Sequence, residues 1–91
     1  MKFALFCKDK SGALPIRKAN REAHLSYIDV SGVVDQAGPF LDEAGEMCGS
    51  LVILNVDTMD AAQAWASNDP YAKAGLFESV SIQAWKKVIG A

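Results

Sequence analysis

The chain contains one histidine, His24, whose imidazole is the side chain best suited to exchange protons near neutral pH. Asp69 is the carboxylate that most needs a partner. It follows a run of helix-forming residues, 60–68, and precedes Pro70, which keeps the residue before it out of the helical region. A carboxylate at the carboxyl end of a helix is unfavourable by roughly 0.3 to 1 kcal/mol, so we expect a compensating contact. We therefore pair His24 and Asp69 as a candidate general acid–base dyad.

Both residues also have purely structural interpretations. Asn-Asp-Pro is a common turn initiator, so Asp69 could serve only to open the turn that follows it. His24 could equally be a hydrogen-bonded structural histidine at a helix edge. The residues alone leave these alternatives open.

Two arginines share a narrow stripe with the histidine on the first predicted helix. Arg17, Arg21, His24 and Ile28 recur at helical spacing. Guanidinium groups suit carboxylates and phenolic oxygens, so the stripe predicts a wall that binds an anionic substrate. The alternative for each arginine taken singly is an ordinary solvated side chain.

Ser50 and Tyr71 are further candidates for contacts with the substrate. No G-x-S-x-G motif surrounds Ser50, so we assign it hydrogen bonding to substrate rather than nucleophilic attack. Tyr71 could form an aromatic wall together with Trp85, although aromatic residues at such positions more often belong to the core.

Nothing in the sequence requires a metal ion or a cofactor, and we predict neither. One histidine is too few for a typical three-ligand catalytic zinc site unless carboxylates join it, and a glycine-rich phosphate loop is missing. Cys7 and Cys48 lack metal-ligand spacing, so we expect free thiols.

Composition and charge indicate a small globular protein. The 91 residues, 51% hydrophobic and 22% charged, predict a single domain over 1–91. Residues 22–69 hold nine acidic side chains and no Lys or Arg, which disfavours nucleic-acid binding. No apolar run approaches the roughly 18 residues of a membrane span, and the first residues lack signal-peptide features, so we expect no membrane contact and a cytoplasmic location.

Hydrophobic periodicity divides the chain into strands and helices. We predict strands at 1–8, 32–37, 48–56 and 77–88, helices at 15–30 and 60–69, a polar turn at 9–12 and a loop at 38–47. Gly38-Pro39 is expected to break the second strand. The first helix is expected to pack on the sheet through an apolar arc formed by Ile16, Ala19, Ala23, Tyr27 and Val30.

The element order βαββαβ predicts a ferredoxin-like α+β sandwich. Its four-stranded antiparallel sheet, in the order 4-1-3-2, would carry two helices on one face. The strand at 48–56 is apolar on both sides, yet two helices can cover only one face of the sheet. We therefore expect the other face to pack against a second copy of the chain in a homodimer.

Several short motifs resemble those of the YCII-related (YciI-like) family of small bacterial proteins. They are Arg17-xxx-Arg21-xx-His24-Leu25, Ala37-Gly38-Pro39, Gly49-Ser50, Ala61-Ala62-x-Ala64-Trp65, Asp69-Pro70-Tyr71 and Ala74-Gly75. The resemblance covers residues 1–88 and implies a dimeric α+β barrel with a cleft that holds a His-Asp dyad, mapping onto His24 and Asp69. It also implies relatives that act on chlorinated hydroxyquinol-type aromatics, and a wider superfamily that includes lactone isomerases and cofactor-free monooxygenases. Fold alone does not choose among these activities.

The leading hypothesis is a small-molecule enzyme of lyase or isomerase type acting on an anionic or phenolic aromatic substrate. His24 would be the general acid–base, and Asp69 would orient the imidazole and stabilise its protonated form. The alternatives are a non-catalytic module for metabolite binding or protein interaction, and a cofactor-free oxygenase. The segment 40–47 carries none of the motifs, and we expect it to line or cover the cleft and to determine the substrate.

Overall fold

The computed structural model describes residues 1–90 and places in them four strands and three helices. The strands are β1 (Lys2–Asp9), β2 (Val34–Leu41), β3 (Met47–Asn55) and β4 (Phe77–Trp85), and the helices are α1 (Leu14–Ser31), α2 (Met59–Asn68) and α3 (Pro70–Lys73). The predicted order βαββαβ is confirmed, with the single turn of α3 inserted before β4. Ala91, part of the predicted 1–91 domain, lies outside the described residues.

The strands form an antiparallel sheet in the order β2-β3-β1-β4. This order confirms the predicted ferredoxin-like sandwich, with the helices on one face. Apolar side chains at alternate positions of the central strands, such as Leu5 and Leu54, face the helices. They form the core with Ala62 and Trp65 of α2.

Strand β2 is longer than predicted, and the prediction of a loop at 38–47 is wrong. The strand continues through Gly38 to Leu41, and Pro39 lies opposite Ser50 of β3. Proline is tolerated here because β2 lies at the edge of the sheet, where a missing N–H need not remove a ladder hydrogen bond. The connection shrinks to 42–46, and the Asp42 carboxylate accepts hydrogen bonds from two backbone N–H groups of that turn.

Helix α1 packs through only one member of the apolar arc that periodicity predicted, Tyr27, which contacts the core. Ile16 and Val30 are exposed, Val30 by 82%, whereas Arg17 and His24 are the buried residues of the helix. The arc rule assumes that charged side chains face water. It fails here because each buried side chain meets a carboxylate from another element.

Helix α2 begins and ends one residue earlier than the predicted 60–69. The Thr58 hydroxyl accepts a hydrogen bond from the backbone N–H of Ala61, and the helix ends at Asn68. Pro70 then holds Asp69 in an extended conformation, with φ −62° and ψ 129°. Asp69 is therefore both the last cap of α2 and the first cap of α3.

The sheet face away from the helices has no helix over it in residues 1–90, although Ala4 and Ile53 on this face are buried. Phe6 and Phe40 lie on this face, exposed by 46% and 39%. Gly49 lies beside them, and a side chain there would collide with the Cys7 carbonyl and press on the Phe40 ring. The bare backbone at Gly49 thus allows β1, β2 and β3 to pack closely beneath an apolar surface.

Candidate active site

The fold brings His24 and Asp69 into contact. His24 Nδ1 lies 2.8 Å from Asp69 Oδ1, and both side chains are buried. The carboxylate oxygen can only accept, so the hydrogen of a neutral imidazole lies on Nδ1 and Nε2 is the basic nitrogen. Every buried side-chain nitrogen within residues 1–90 has a hydrogen-bond partner, whereas His24 Nε2 has none. Nε2 is therefore not buried, and it opens to the cavity that His24 lines.

Asp69 makes contacts of both kinds that the sequence left open, one within the turn and one with the histidine. Its Oδ1 accepts a hydrogen bond from the backbone N–H of Tyr71 at 3.0 Å, which caps α3, and the same oxygen contacts His24. Pro70 makes this possible because it turns the chain out of α2 just before the cap. Two contacts, with the His24 imidazole and with the Tyr71 backbone N–H, thus offset the unfavourable position of this carboxylate at the carboxyl end of α2.

A second buried charge pair lies beside the dyad. Arg17 Nε donates to Asp9 Oδ2 at 2.7 Å, and Arg17 Nη2 donates to Asp9 Oδ1 at 2.8 Å and to Ser50 Oγ at 2.9 Å. Burial by itself would lower the pKa of the Arg17 guanidinium, but the hydrogen bonds and charge of Asp9 outweigh it and raise that pKa. Arg17 is therefore a permanently charged group with a fixed orientation.

Asp9 was not among the site residues predicted from the sequence, which placed it in a polar turn. It is the last residue of β1 and is 8% exposed. The available signal was alternation along the strand, because Asp9 continues the core-facing series through Leu5 and Cys7. A carboxylate at the end of a buried apolar stripe requires a cation, and Arg17 supplies it.

Tyr71 lies between the two charge pairs. Its ring centroid is 4.0 Å from that of His24, at an interplanar angle of 16°, and the Arg17 Cζ atom lies 4.6 Å from the Tyr71 centroid. Arg17 and His24 are two turns of α1 apart, about 10 Å, so the ring fits between them. Burial raises the pKa of the Tyr71 phenol, against the opposing charge of Arg17, and the phenol stays neutral near pH 7.

The predicted site residues converge on one cavity of about 180 Å³. Five of them line it directly, and Asp69 lies behind the imidazole; the five are Arg17, Arg21, His24, Ser50 and Tyr71. An engineered cavity of about 150 Å³ accommodates benzene. The space beside the dyad therefore fits one six-membered ring.

The walls of this cavity differ from those predicted. Ala37, Gly38 and Pro39 of β2 line one side, and Met47 is the member of the segment 40–47 that reaches it. The acidic turn at 42–46 instead lines a separate groove beside the β1–α1 connection, so it does not cover the cavity. Trp85, the other predicted aromatic wall, lies in a different groove next to Lys2.

Arg21 differs from Arg17 in having no committed partner. It is exposed and makes no salt bridge or hydrogen bond with the described part of the chain. Its charge is near enough to oppose the rise in the pKa of the Tyr71 phenol. Arg21 is thus a free cation at the cavity.

Residues 1–90 contain no group of three or more His, Cys, Asp or Glu side chains arranged to hold a metal ion. In the same part of the chain, no helix combines the length and apolarity needed to cross a membrane.

The fold and the site together define a class: ferredoxin-like α+β proteins with a polar cleft between a helix and a sheet edge, containing a buried His–Asp pair. The model of the YCII-related domain matches residues 1–86. The chain belongs to the YCII-related family, as the resemblance implied.

The chain is also similar to curated proteins and to solved structures. The chain is similar to the protein YciI of Escherichia coli O6:H1, with 37% identity over 97 residues covering 97% of this chain and 99% of the relative. An uncharacterized protein of Haemophilus influenzae is 32% identical over 100 residues, with the same coverage. Neither name states an activity.

One similar solved structure is the 5-chloro-2-hydroxyhydroquinone dehydrochlorinase of Burkholderia phenoliruptrix in complex with 2,5-dihydroxybenzoquinone. It is 33% identical, its TM-score is 0.86, and the match covers 94% of each chain. A structure described as an antibiotic biosynthesis monooxygenase, 10% identical with a TM-score of 0.60, shares the fold alone.

Proposed function

We propose that this protein is a small-molecule enzyme that uses His24 and Asp69 for general acid–base chemistry of lyase or isomerase type. The observation that carries the proposal is the 2.8 Å contact between His24 Nδ1 and Asp69 Oδ1 at the wall of a cavity that also presents Arg17 and Ser50. The similar dehydrochlorinase, whose structure holds 2,5-dihydroxybenzoquinone, supports an aromatic substrate with several oxygen substituents. The cavity volume supports a single ring.

In the proposed reaction, His24 Nε2 accepts a proton from the substrate and returns it to the product or leaving group. Asp69 holds the Nδ1–H and stabilises the imidazolium that forms. Because Asp69 is 2% exposed and anchored by the Tyr71 backbone, its charge acts on the imidazole with little solvent screening. Such positioned proton transfer contributes roughly 10²- to 10⁴-fold to a rate.

The oxygen of the substrate becomes more negative as the proton leaves. We place this oxygen beside Arg17 and Ser50, where preorganised donors stabilise charge without reorganising. Ser50 Oγ accepts from Arg17 Nη2, so its own O–H remains available to donate to the substrate. Asp9 maintains the arrangement because its bidentate contact fixes the guanidinium plane.

Arg21 supplies the remaining proposed contact. With no partner among residues 1–90 and a place at the cavity, it is suited to a phenolate or carboxylate substituent on the same ring. Binding there would add charge complementarity without disturbing the Asp9–Arg17 pair.

We also propose that residues 1–91 form one domain and that two copies pair through the uncovered sheet face bearing Phe6 and Phe40. The exposure of these two aromatic side chains supports that pairing. A cytoplasmic location is proposed because Cys7 and Cys48 are both free thiols, which fits a reducing compartment.

The proposed function is tested with chlorinated and unchlorinated hydroxyhydroquinones as substrates, by following chloride release and ring absorbance. His24→Gln and Asp69→Asn should each lower kcat by at least about 100-fold while the fold is retained. Asp29→Asn, the same change at an exposed carboxylate of α1, is the matched control and should leave kcat unchanged.

The alternatives give different results in the same assays. Binding of the ring compound without turnover, unaffected by His24→Gln, would support the metabolite-binding module and overturn the enzyme. Oxygen consumption with an unchlorinated quinol would support the cofactor-free oxygenase instead.

A further inference from the structure

The ring of Tyr71 has both faces occupied. The His24 imidazole stacks on it at a centroid distance of 4.0 Å, and the Arg17 Cζ atom lies 4.6 Å from the same centroid. The side chain is 1% exposed, so a substrate ring cannot stack on it in the way that an aromatic wall requires. Tyr71 therefore acts on the site through its neighbours.

We propose that Tyr71 is a positioning residue whose ring fixes the spacing and relative orientation of the His24 imidazole and the Arg17 guanidinium. This inference rests on the proposed function, because those two groups are the base and the anion-binding group of that reaction. Three contacts of one residue are involved: two ring faces and the backbone N–H bound to Asp69.

The imidazole needs this additional support because its hydrogen bond to Asp69 is a single contact. One N–H···O bond allows the ring to swing about the donor–acceptor line, and the terminal side-chain torsion of histidine has a broad energy minimum. A parallel ring stacked at 16° removes that freedom. The stack thereby directs Nε2 into the cavity.

The Tyr71 ring is itself held in place by its neighbours, so it can position the two side chains that contact it. It packs in a small apolar cluster with Ala13 and Leu76, and the Phe77 ring meets it edge-on at 6.1 Å and 83°. Pro70 and the Asp69 cap fix the backbone immediately before it. The position of the ring is therefore set by the core and by α3, independently of any ligand.

The ring also suits the charges on its two sides. The face of an aromatic ring is electrostatically negative, so it attracts the Arg17 guanidinium on one side and a protonated imidazole on the other. It separates these two cations when His24 carries a proton. An aliphatic side chain of similar volume would fill the space without providing this attraction.

The test compares Tyr71→Phe, which keeps the ring, with Tyr71→Leu and Tyr71→Met, which remove it. Because His24 is the one histidine in the sequence, its ring nitrogens give a single, unambiguous set of ¹⁵N signals. Tyr71→Phe should retain the wild-type pattern of an Nδ1–H tautomer, because it keeps the ring that stacks on the imidazole. The leucine and methionine variants should show mixed tautomers and a kcat lowered by roughly 100-fold, with a smaller change in KM.

A purely structural role for Tyr71 predicts another result. A folded leucine or methionine variant, shown by circular dichroism and cooperative unfolding, that keeps the wild-type tautomer signals would overturn the proposal. The NMR measurement needs no substrate, so it separates this inference from the proposed function. Altered signals in the variants of a protein without turnover would support the positioning role and reject the reaction.

Discussion

Replacing Asp9 by asparagine tests whether the buried charge pair is as important to the fold as its geometry indicates. The Arg17 and Asp9 side chains are 3% and 5% exposed and share two hydrogen bonds of 2.7 and 2.8 Å. Asn has one acceptor oxygen and directs an NH₂ group at the guanidinium. Asp9→Asn therefore removes a hydrogen bond and leaves the Arg17 charge buried without a counter-ion.

Removing one partner of a buried ion pair costs about 3 to 5 kcal/mol. Domains of this size are stable by about 5 to 15 kcal/mol, so we expect Asp9→Asn to lose a large share of the free energy of unfolding. A loss of about 3 kcal/mol corresponds to a fall in Tm of roughly 12 to 24 °C. Urea unfolding followed by circular dichroism at 222 nm measures the difference directly.

Two further variants sharpen this measurement. Asp35→Asn breaks the more exposed pair with Lys2, whose atoms are 3.0 Å apart, and should cost less than about 1 kcal/mol. Asp9→Leu combined with Arg17→Met should recover most of the lost stability, because apolar replacement of both partners is often neutral, while removing any activity. A loss below about 1 kcal/mol for Asp9→Asn would refute the argument, since it would mean that Arg17 is hydrated or paired elsewhere.

Two more predictions concern the thiols and the open sheet face. Burial, followed by the charge of Asp69, raises the pKa of the Cys7 thiol from 9.0 to about 12, so native Cys7 should resist a thiol reagent at pH 8.5 while Cys48 reacts. Equal labelling rates for both thiols would contradict the predicted protection of Cys7. Because the pKa of Cys7 is higher in the folded than in the unfolded protein, its contribution to the free energy of unfolding should fall as pH rises from 9.0 to about 12. Phe6→Glu should convert the proposed dimer to a folded monomer in sedimentation experiments, and a monomeric wild type would reject the pairing.

The sequence carried enough information for the fold because its strongest signals are local. The apolar run of β3 and the helix stop before Pro70 each act over a few residues, and the structure follows both. The failure at β2 has a tertiary cause: proline tolerance depends on whether a strand lies at the edge of the sheet, and position in the sheet is not a local property.

The site was predictable where a residue was conspicuous by its type or place. A single histidine and a carboxylate stranded at a helix end led to a pair that lies 2.8 Å apart in the structure. Asp9 escaped because polar residues near a strand end are ordinarily read as a turn. The buried face of α1 was also not predicted, because hydrophobic periodicity treats Arg17 as solvated unless its ion-pair partner is known.

The groups around the cavity come from four separate elements: Asp9 from β1, Arg17 and His24 from α1, Ser50 from β3 and Tyr71 from α3. No single element of residues 1–90 carries all of these groups. The chain must be synthesised as far as Tyr71, and the sheet must form in the correct register, before the His24–Asp69 pair and the Arg17 guanidinium lie together. Incomplete or misfolded chains would therefore lack the proposed activity, which depends on the completion of folding.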